Sequence, residues 1–110
     1  MSNLDLDQLR TQIDDIDTQI TELFKQRMEI ALNVAKYKKE NGLPVLNDRR
    51  EKEVLHKVSE QIGEPLDGYA RLVFNTMFDA SRSYQSNYLA RKSDLADRID
   101  AALEATPALF

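Results

Sequence analysis

The sequence predicts an all-α protein with three helices per chain, of which the first is long, and three observations support this fold class. Apolar residues recur at steps of three and four through the first forty residues, which is the spacing of a helical seam. Shorter stretches with helical spacing follow, and turn-forming residues separate them. Of the 110 residues, 42% are hydrophobic and 31% are charged, so a single domain can form a core and extensive disorder is not expected.

The residue inventory excludes several classes of function. Without Cys there is no disulfide framework, thiolate metal site or Cys nucleophile, and with His56 as the single His a His-based metal cluster is excluded too. A Ser-His-Asp triad is possible only if His56 is its base. With three Gly in the chain, a glycine-rich loop for phosphate or dinucleotide binding is absent. The net charge of −4 argues against a nucleic-acid partner. Because no apolar run approaches the ~18–20 residues of a membrane span and no secretory leader opens the chain, we expect a cytoplasmic protein without a membrane partner.

The first helix is predicted from about Asp5 to Glu40, ending before Gly42 and Pro44. It would be roughly 50 Å long, whereas a compact domain of this size has a radius of gyration of only ~13 Å. Its apolar seam would therefore overhang a monomeric core and need a second chain, so we expect a homodimer; an elongated monomeric hairpin is the alternative. The seam occupies the a and d positions of a heptad pattern, at Leu6, Leu9, Ile13, Ile16, Ile20, Leu23, Ile30 and Val34.

The second helix is predicted to follow a short loop over residues 42–46. Asn47 is placed to cap its first turn, and Gly63 is placed to cap its end. His56 lies on its polar side and is expected at the surface.

The third helix is predicted from about Gly68 to Arg91. Ser93 could then cap a short final helix over residues 94–105. We therefore expect a main domain over residues 1–92 and an appendage, a short helix or a linker, over residues 93–110.

Cationic residues interrupt the seam of the first helix. Arg27 occupies an a position, where an unpaired guanidinium would cost several kcal/mol, so an anion should meet it. Lys38 lies eleven residues later and returns to nearly the same helix face, so the two side chains could bracket a small dianion. Arg10 faces elsewhere and cannot easily share a site with Arg27 in the same chain, but it could reach the partner's site in an antiparallel dimer. The alternative for Arg27 is a salt bridge or a role in fixing the register of a dimer. The alternative for Lys38 and Arg10 is that they are ordinary solvated charges.

Polar residues also extend the inward faces of the remaining two helices. Arg50 and Glu51 precede the apolar face of the second helix by one turn. On the third helix, Ser81 and Gln85 continue an apolar stripe that begins with two Phe residues. The alternative explanation for Arg50 and Glu51 is first-turn electrostatics, and the alternative for Gln85 is an interhelical hydrogen bond to the backbone. Together the three helices predict a pocket for a small polyanion with polar substituents.

These residues resemble the all-helical class of chorismate mutases, over about residues 4–92. The spacing is specific, with eleven residues from Arg27 to Lys38, twelve more to Arg50 and thirty-five more to Gln85. In this family the mutase is often fused to prephenate dehydratase or dehydrogenase, and the dehydratase would be the expected fusion partner if one followed. The matching stretches are Leu9-Arg10, Leu23 to Met28, Val34 to Lys39, Pro44-Val45, Arg49 to Glu51 and Ser81 to Gln85.

The resemblance implies two chains intertwined through the long first helix, with two active sites that each take Arg10 from the partner chain. It implies that Arg10 and Arg27 hold the substrate carboxylates and that Lys38 bridges a carboxylate and the ether oxygen. Gln85 would donate to that ether oxygen, and Glu51 would hold the ring hydroxyl. The remaining implied pocket residues are Val34, Arg50, Ser81 and Asn47, the last of which stands where the family often has Asp.

The implied activity is the isomerisation of chorismate to prephenate in phenylalanine and tyrosine biosynthesis. This Claisen rearrangement is unimolecular and uses no nucleophile, metal or cofactor, so no cofactor is expected. An isochorismate-pyruvate lyase of the same fold is the nearest rival activity, although the Arg50-Glu51 pair favours the mutase. A non-catalytic regulatory or dimerisation module is a second rival, and a plain coiled-coil scaffold is a third.

Overall fold

The computed structural model describes the backbone of residues 4–105 and, beyond residue 90, the side chains of Arg98, Ile99 and Ala102 alone. Its three helices are α1 (Leu6–Glu40), α2 (Asp48–Ile62) and α3 (Asp67–Ala105), and residues 4–105 contain no strand. The predicted all-α fold class is confirmed. None of the helices in this part of the chain combines the length and hydrophobicity that a bilayer crossing requires.

The chain divides into two structural units, residues 1–30 and residues 31–110. In the first unit, Asp5 caps the start of α1, because its carboxylate accepts from the backbone N–H of Asp7 at 2.9 Å and its carbonyl accepts from Leu9 at 3.0 Å. Six seam residues of this unit are at least 53% exposed, so a single chain leaves an apolar stripe uncovered. They are Leu6, Ile13, Ile16, Ile20, Leu23 and Ile30.

The second unit has a small core on α1 and α3. Ala31, Ala35 and Phe78 are its buried apolar residues among those described, and α2 packs against α3. The Nζ of Lys36 lies 5.7 Å from the ring centroid of Tyr88, which brings the C-terminal part of α1 to α3. A core built largely from alanines buries little area, so one chain by itself gains limited hydrophobic stabilisation.

The loop between α1 and α2 begins at a glycine in the left-handed region. Gly42 has φ 65°, the N–H of Leu43 donates to the carbonyl of Lys38 at 2.7 Å, and the N–H of Gly42 donates to Lys39 at 3.3 Å. This pair of bonds is a Schellman motif, in which glycine avoids the steric cost of a Cβ. The predicted stop of α1 before Gly42 is confirmed.

The predicted break in the third helix is wrong. Instead of ending near Arg91 and restarting after Ser93, α3 runs without interruption to Ala105. No Gly or Pro lies between residues 89 and 105, and a serine inside a helix costs only about 0.5 kcal/mol relative to alanine. A cap-favouring residue is therefore too weak a signal to end a helix. The predicted domain limit at residue 92 remains a prediction.

Candidate active site

The predicted site residues fall in both units. Arg10 and Arg27 belong to residues 1–30, where Arg10 is exposed and Arg27 is half-buried. The rest of the predicted residues belong to residues 31–110, and their contacts are described below. They are Val34, Lys38, Asn47, Arg50, Glu51, Ser81 and Gln85.

Ser81 and Gln85 form a buried polar pair on α3. Each residue is 6% exposed, and the Nε2 of Gln85 donates to the Oγ of Ser81 at 3.0 Å. They lie one helical turn apart, beyond Phe78, whose ring meets Phe74 edge-to-face at 6.2 Å. The Oε1 of Gln85 is buried without a hydrogen-bond partner among the described residues. An unsatisfied buried amide oxygen costs about 1–3 kcal/mol, so this position is suboptimal for stability alone.

Lys38 is held at the C-terminal end of α1 by the following loop. Its Nζ donates to the backbone carbonyl of Val45 at 2.7 Å, and both residues are half-buried. An ammonium group has three N–H donors, and this bond uses one of them. The loop therefore fixes the position of the cation while leaving it donors for an anion.

Glu51, in the first turn of α2, is paired with Arg82 of α3. The Nη1 of Arg82 donates to both carboxylate oxygens of Glu51, at 2.7 and 2.8 Å, and the Nη2 of Arg82 contacts Asp79. Both side chains of the Glu51–Arg82 pair are mostly buried, at 23% and 28% exposure. The hydrogen bond to Glu51 is the main cause that raises the pKa of Arg82 above its already high ordinary value. Arg82 was not among the residues predicted from the sequence, although it directly follows Ser81 in one of the matching stretches.

Asn47 has a structural role that the sequence predicted. It is the N-cap of α2, and its side-chain oxygen accepts from the backbone N–H of Arg50 at 3.0 Å. The guanidinium of Arg50 lies 3.7 Å from Glu53 on an exposed part of the helix, and Val34 on α1 is 42% exposed. These contacts do not bring Arg50 or Val34 to the buried pair on α3.

The single histidine lies at the surface, as predicted. The Nε2 of His56 lies 3.0 Å from Glu60, and its side chain is 72% exposed. No group of three or more potential metal ligands occurs among the described residues.

The second unit thus combines a fixed lysine, a buried serine–amide pair and a carboxylate held by an arginine. Such groups can bind an anion, accept from a hydroxyl and donate to an ether or carbonyl oxygen. The described part of the chain is therefore an all-helical domain with polar groups of the kinds that can bind a small, oxygen-rich ligand.

Comparison with known proteins agrees with this class. Residues 9–86 match the family model described as chorismate mutase type II. The chorismate mutase of Methanocaldococcus jannaschii is 29% identical over 93 residues, which cover 76% of this chain and 87% of that protein. The solved structure of a conserved hypothetical protein from Pyrococcus furiosus has a TM-score of 0.62 and 39% identity, covering 73% of this chain and 93% of that one.

Because the family model covers most of the chain, this protein belongs to the chorismate mutase type II family. The family predicted from the sequence is confirmed, and so are the function and the enzyme class, an isomerase, that were predicted with it.

Proposed function

We propose that this chorismate mutase converts chorismate to prephenate at a non-covalent site built around Lys38, Gln85, Glu51 and Arg27. The observation that carries the proposal is the buried Ser81–Gln85 pair with its unsatisfied amide oxygen, in a chain of the chorismate mutase type II family. A buried polar group without a partner is retained at a cost in stability, which is typical of functional positions.

The reaction needs a donor at the ether oxygen, where negative charge develops as the C–O bond breaks. The oxygen and nitrogen of an amide occupy nearly the same space, so a half-turn of the Gln85 amide exchanges them. Its oxygen then accepts from the hydroxyl of Ser81, and its nitrogen is available to donate to the ether oxygen. The rotation pairs the amide oxygen with Ser81 and leaves the N–H groups of the amide without a partner until an oxygen of the substrate accepts from them.

Lys38 supplies the second donor in this proposal. With one N–H committed to Val45, its ammonium group keeps two donors, which suffice for a substrate carboxylate and the ether oxygen. Because the loop already fixes the cation, little reorganisation is needed as charge develops, which is the condition for electrostatic stabilisation of a transition state.

The substrate is a dicarboxylate and requires further cations. We propose that Arg27 and Arg10 bind its carboxylates, that Arg10 comes from the partner chain of a homodimer, and that Val34, Asn47, Arg50 and Ser81 line the pocket. The uncovered apolar stripe of residues 6–30 supports dimerisation, because an exposed stripe of this kind ordinarily packs against another chain. Holding the compact conformer of the substrate between these cations reduces the entropic part of the barrier.

We further propose that the enzyme serves phenylalanine and tyrosine biosynthesis in the cytoplasm. The support for the pathway is the reaction itself, since prephenate is the precursor of both amino acids.

The test supplies the purified chain with chorismate and, separately, with isochorismate, and identifies the products. We expect prephenate from chorismate, measured as phenylpyruvate after acid treatment, and no pyruvate release from isochorismate. An Arg27→Ala variant should lose the activity while remaining helical by circular dichroism. Pyruvate and salicylate from isochorismate, without prephenate from chorismate, would replace the mutase by the lyase.

A further inference from the structure

We propose that Arg82 is a positioning residue that holds the Glu51 carboxylate ready for the ring hydroxyl of the substrate, an inference that rests on the function proposed above. The two residues are 31 positions apart in sequence and join α2 to α3 through one nitrogen and both carboxylate oxygens. Among the described residues, no other hydrogen bond or ion pair holds the carboxylate of Glu51.

The pairing leaves Glu51 able to accept a further hydrogen bond. A carboxylate has about four lone-pair directions, and the two bonds from Arg82 occupy two of them. A paired carboxylate is also held in one rotamer, whereas an unpaired glutamate side chain loses rotamer freedom when it binds. Arg82 therefore lowers the entropic cost of binding the hydroxyl and leaves Glu51 free to accept from it.

Asp79 completes the arrangement on the solvent side. It lies three residues before Arg82 on α3 and contacts the Nη2 of the guanidinium, so that Nη1 is directed to Glu51. The side chain of Asp79 is 73% exposed, so its ion pair adds little stability, and its effect is to orient the guanidinium. The planar fork of arginine suits this shared arrangement, whereas the ammonium group of lysine does not reproduce it.

The experiment compares two bicyclic transition-state mimics, one with the hydroxyl that corresponds to the ring hydroxyl of chorismate and one without it. Dissociation constants are measured by calorimetry for the wild type, Arg82→Met and Glu51→Gln. We expect the wild type to prefer the hydroxylated mimic by about tenfold, the effect of one hydrogen bond to a charged group. Both variants should lose that preference while binding the mimic without the hydroxyl as the wild type does.

Arg71→Met is the matched control. Arg71 also lies on α3 and also reaches α2, since its Nε donates to the Oγ of Ser59 at 3.1 Å. This variant tests whether any link between α2 and α3 affects binding, and it should leave the preference unchanged. An equal weakening of both mimics in Arg82→Met would show a purely structural role and overturn the inference.

The remaining outcomes separate this inference from the proposed function. If Glu51→Gln loses the preference and Arg82→Met retains it, the inference is wrong and the proposed function stands. If the wild type binds neither mimic and does not convert chorismate, the proposed function itself fails. Should Arg82→Met not fold, Arg82→Lys is measured in its place. Its preference should fall, because one ammonium cannot serve Glu51 and Asp79 in the geometry of the fork, and an unchanged preference would contradict the inference.

Discussion

The ammonium group of Lys38 is bound to the backbone carbonyl of Val45 at 2.7 Å, so the loop after α1 fixes a cation near the end of that helix. The Schellman motif at Gly42 turns the chain so that this loop returns past the helix end. The conformation of a loop backbone therefore sets the position of a charge that the proposed reaction uses.

Lys38→Met should reduce kcat by about 10²–10³, because it removes the proposed donor to the ether oxygen in the transition state. The side-chain length is kept and the charge is lost, so the helix content should not change. Lys39→Met is the matched control, since it removes one positive charge from the neighbouring and exposed position of the same helix. Steady-state kinetics with chorismate measure both variants, and equal losses in the two would indicate a general effect of charge and contradict the assignment of Lys38.

Asn47→Ala should destabilise the protein by about 1 kcal/mol, because the first turn of α2 loses the side-chain acceptor for the backbone N–H of Arg50. Asn47→Asp retains a good cap and should change the free energy of unfolding by only about a few tenths of a kcal/mol. Urea unfolding at one fixed protein concentration measures both. If the alanine and aspartate variants were equally stable, the capping role would be contradicted.

The proposed exchange of Arg10 between chains predicts complementation. Arg10→Ala and Lys38→Met should each be nearly inactive alone. When equal amounts are unfolded together and refolded, half of the dimers contain one chain of each kind, and one of their two sites has both residues intact. The mixture should therefore recover about one quarter of the wild-type activity, as expected for two equivalent sites in a symmetric dimer.

Activity of the refolded mixture against chorismate measures the complementation, and Arg10→Ala mixed with itself is the control. If the mixture stays as inactive as the separate variants, Arg10 acts within its own chain or the protein is not a dimer.

Local signals in the sequence were sufficient for much of the fold. The heptad spacing predicted α1, and the cap at Asn47 and the ends at Gly42 and Gly63 were each specified by one residue with a strong preference. The break near Ser93 failed because serine favours a cap without preventing a helix, and the helical stretches on both sides were long enough to continue through it.

The pairing of Glu51 with Arg82 could not be predicted from the sequence in this way. It depends on how α2 packs against α3, and no periodicity within one helix shows which side chains meet across two. Asp79 and Arg82 are three residues apart on α3, which is a spacing typical of an ion pair within one helix. The contact of Arg82 with a second carboxylate, that of Glu51, was evident only from the fold. Ser81 and Gln85, by contrast, were predictable because they interrupt an apolar stripe of a single helix.

The most direct test of the proposed mechanism is prephenate formation by Gln85→Met, measured together with its free energy of unfolding and compared with the wild type. Methionine fills a similar volume and removes the unsatisfied amide oxygen, so stability should stay within about 1 kcal/mol of the wild type. Gln61→Met, at an exposed position of α2, is the control for the substitution itself. We predict rapid prephenate formation by the wild type and the control, and a loss of about 10²–10³ in Gln85→Met. A folded Gln85→Met with the wild-type rate, or a folded wild type that makes no prephenate, would contradict the proposed mechanism.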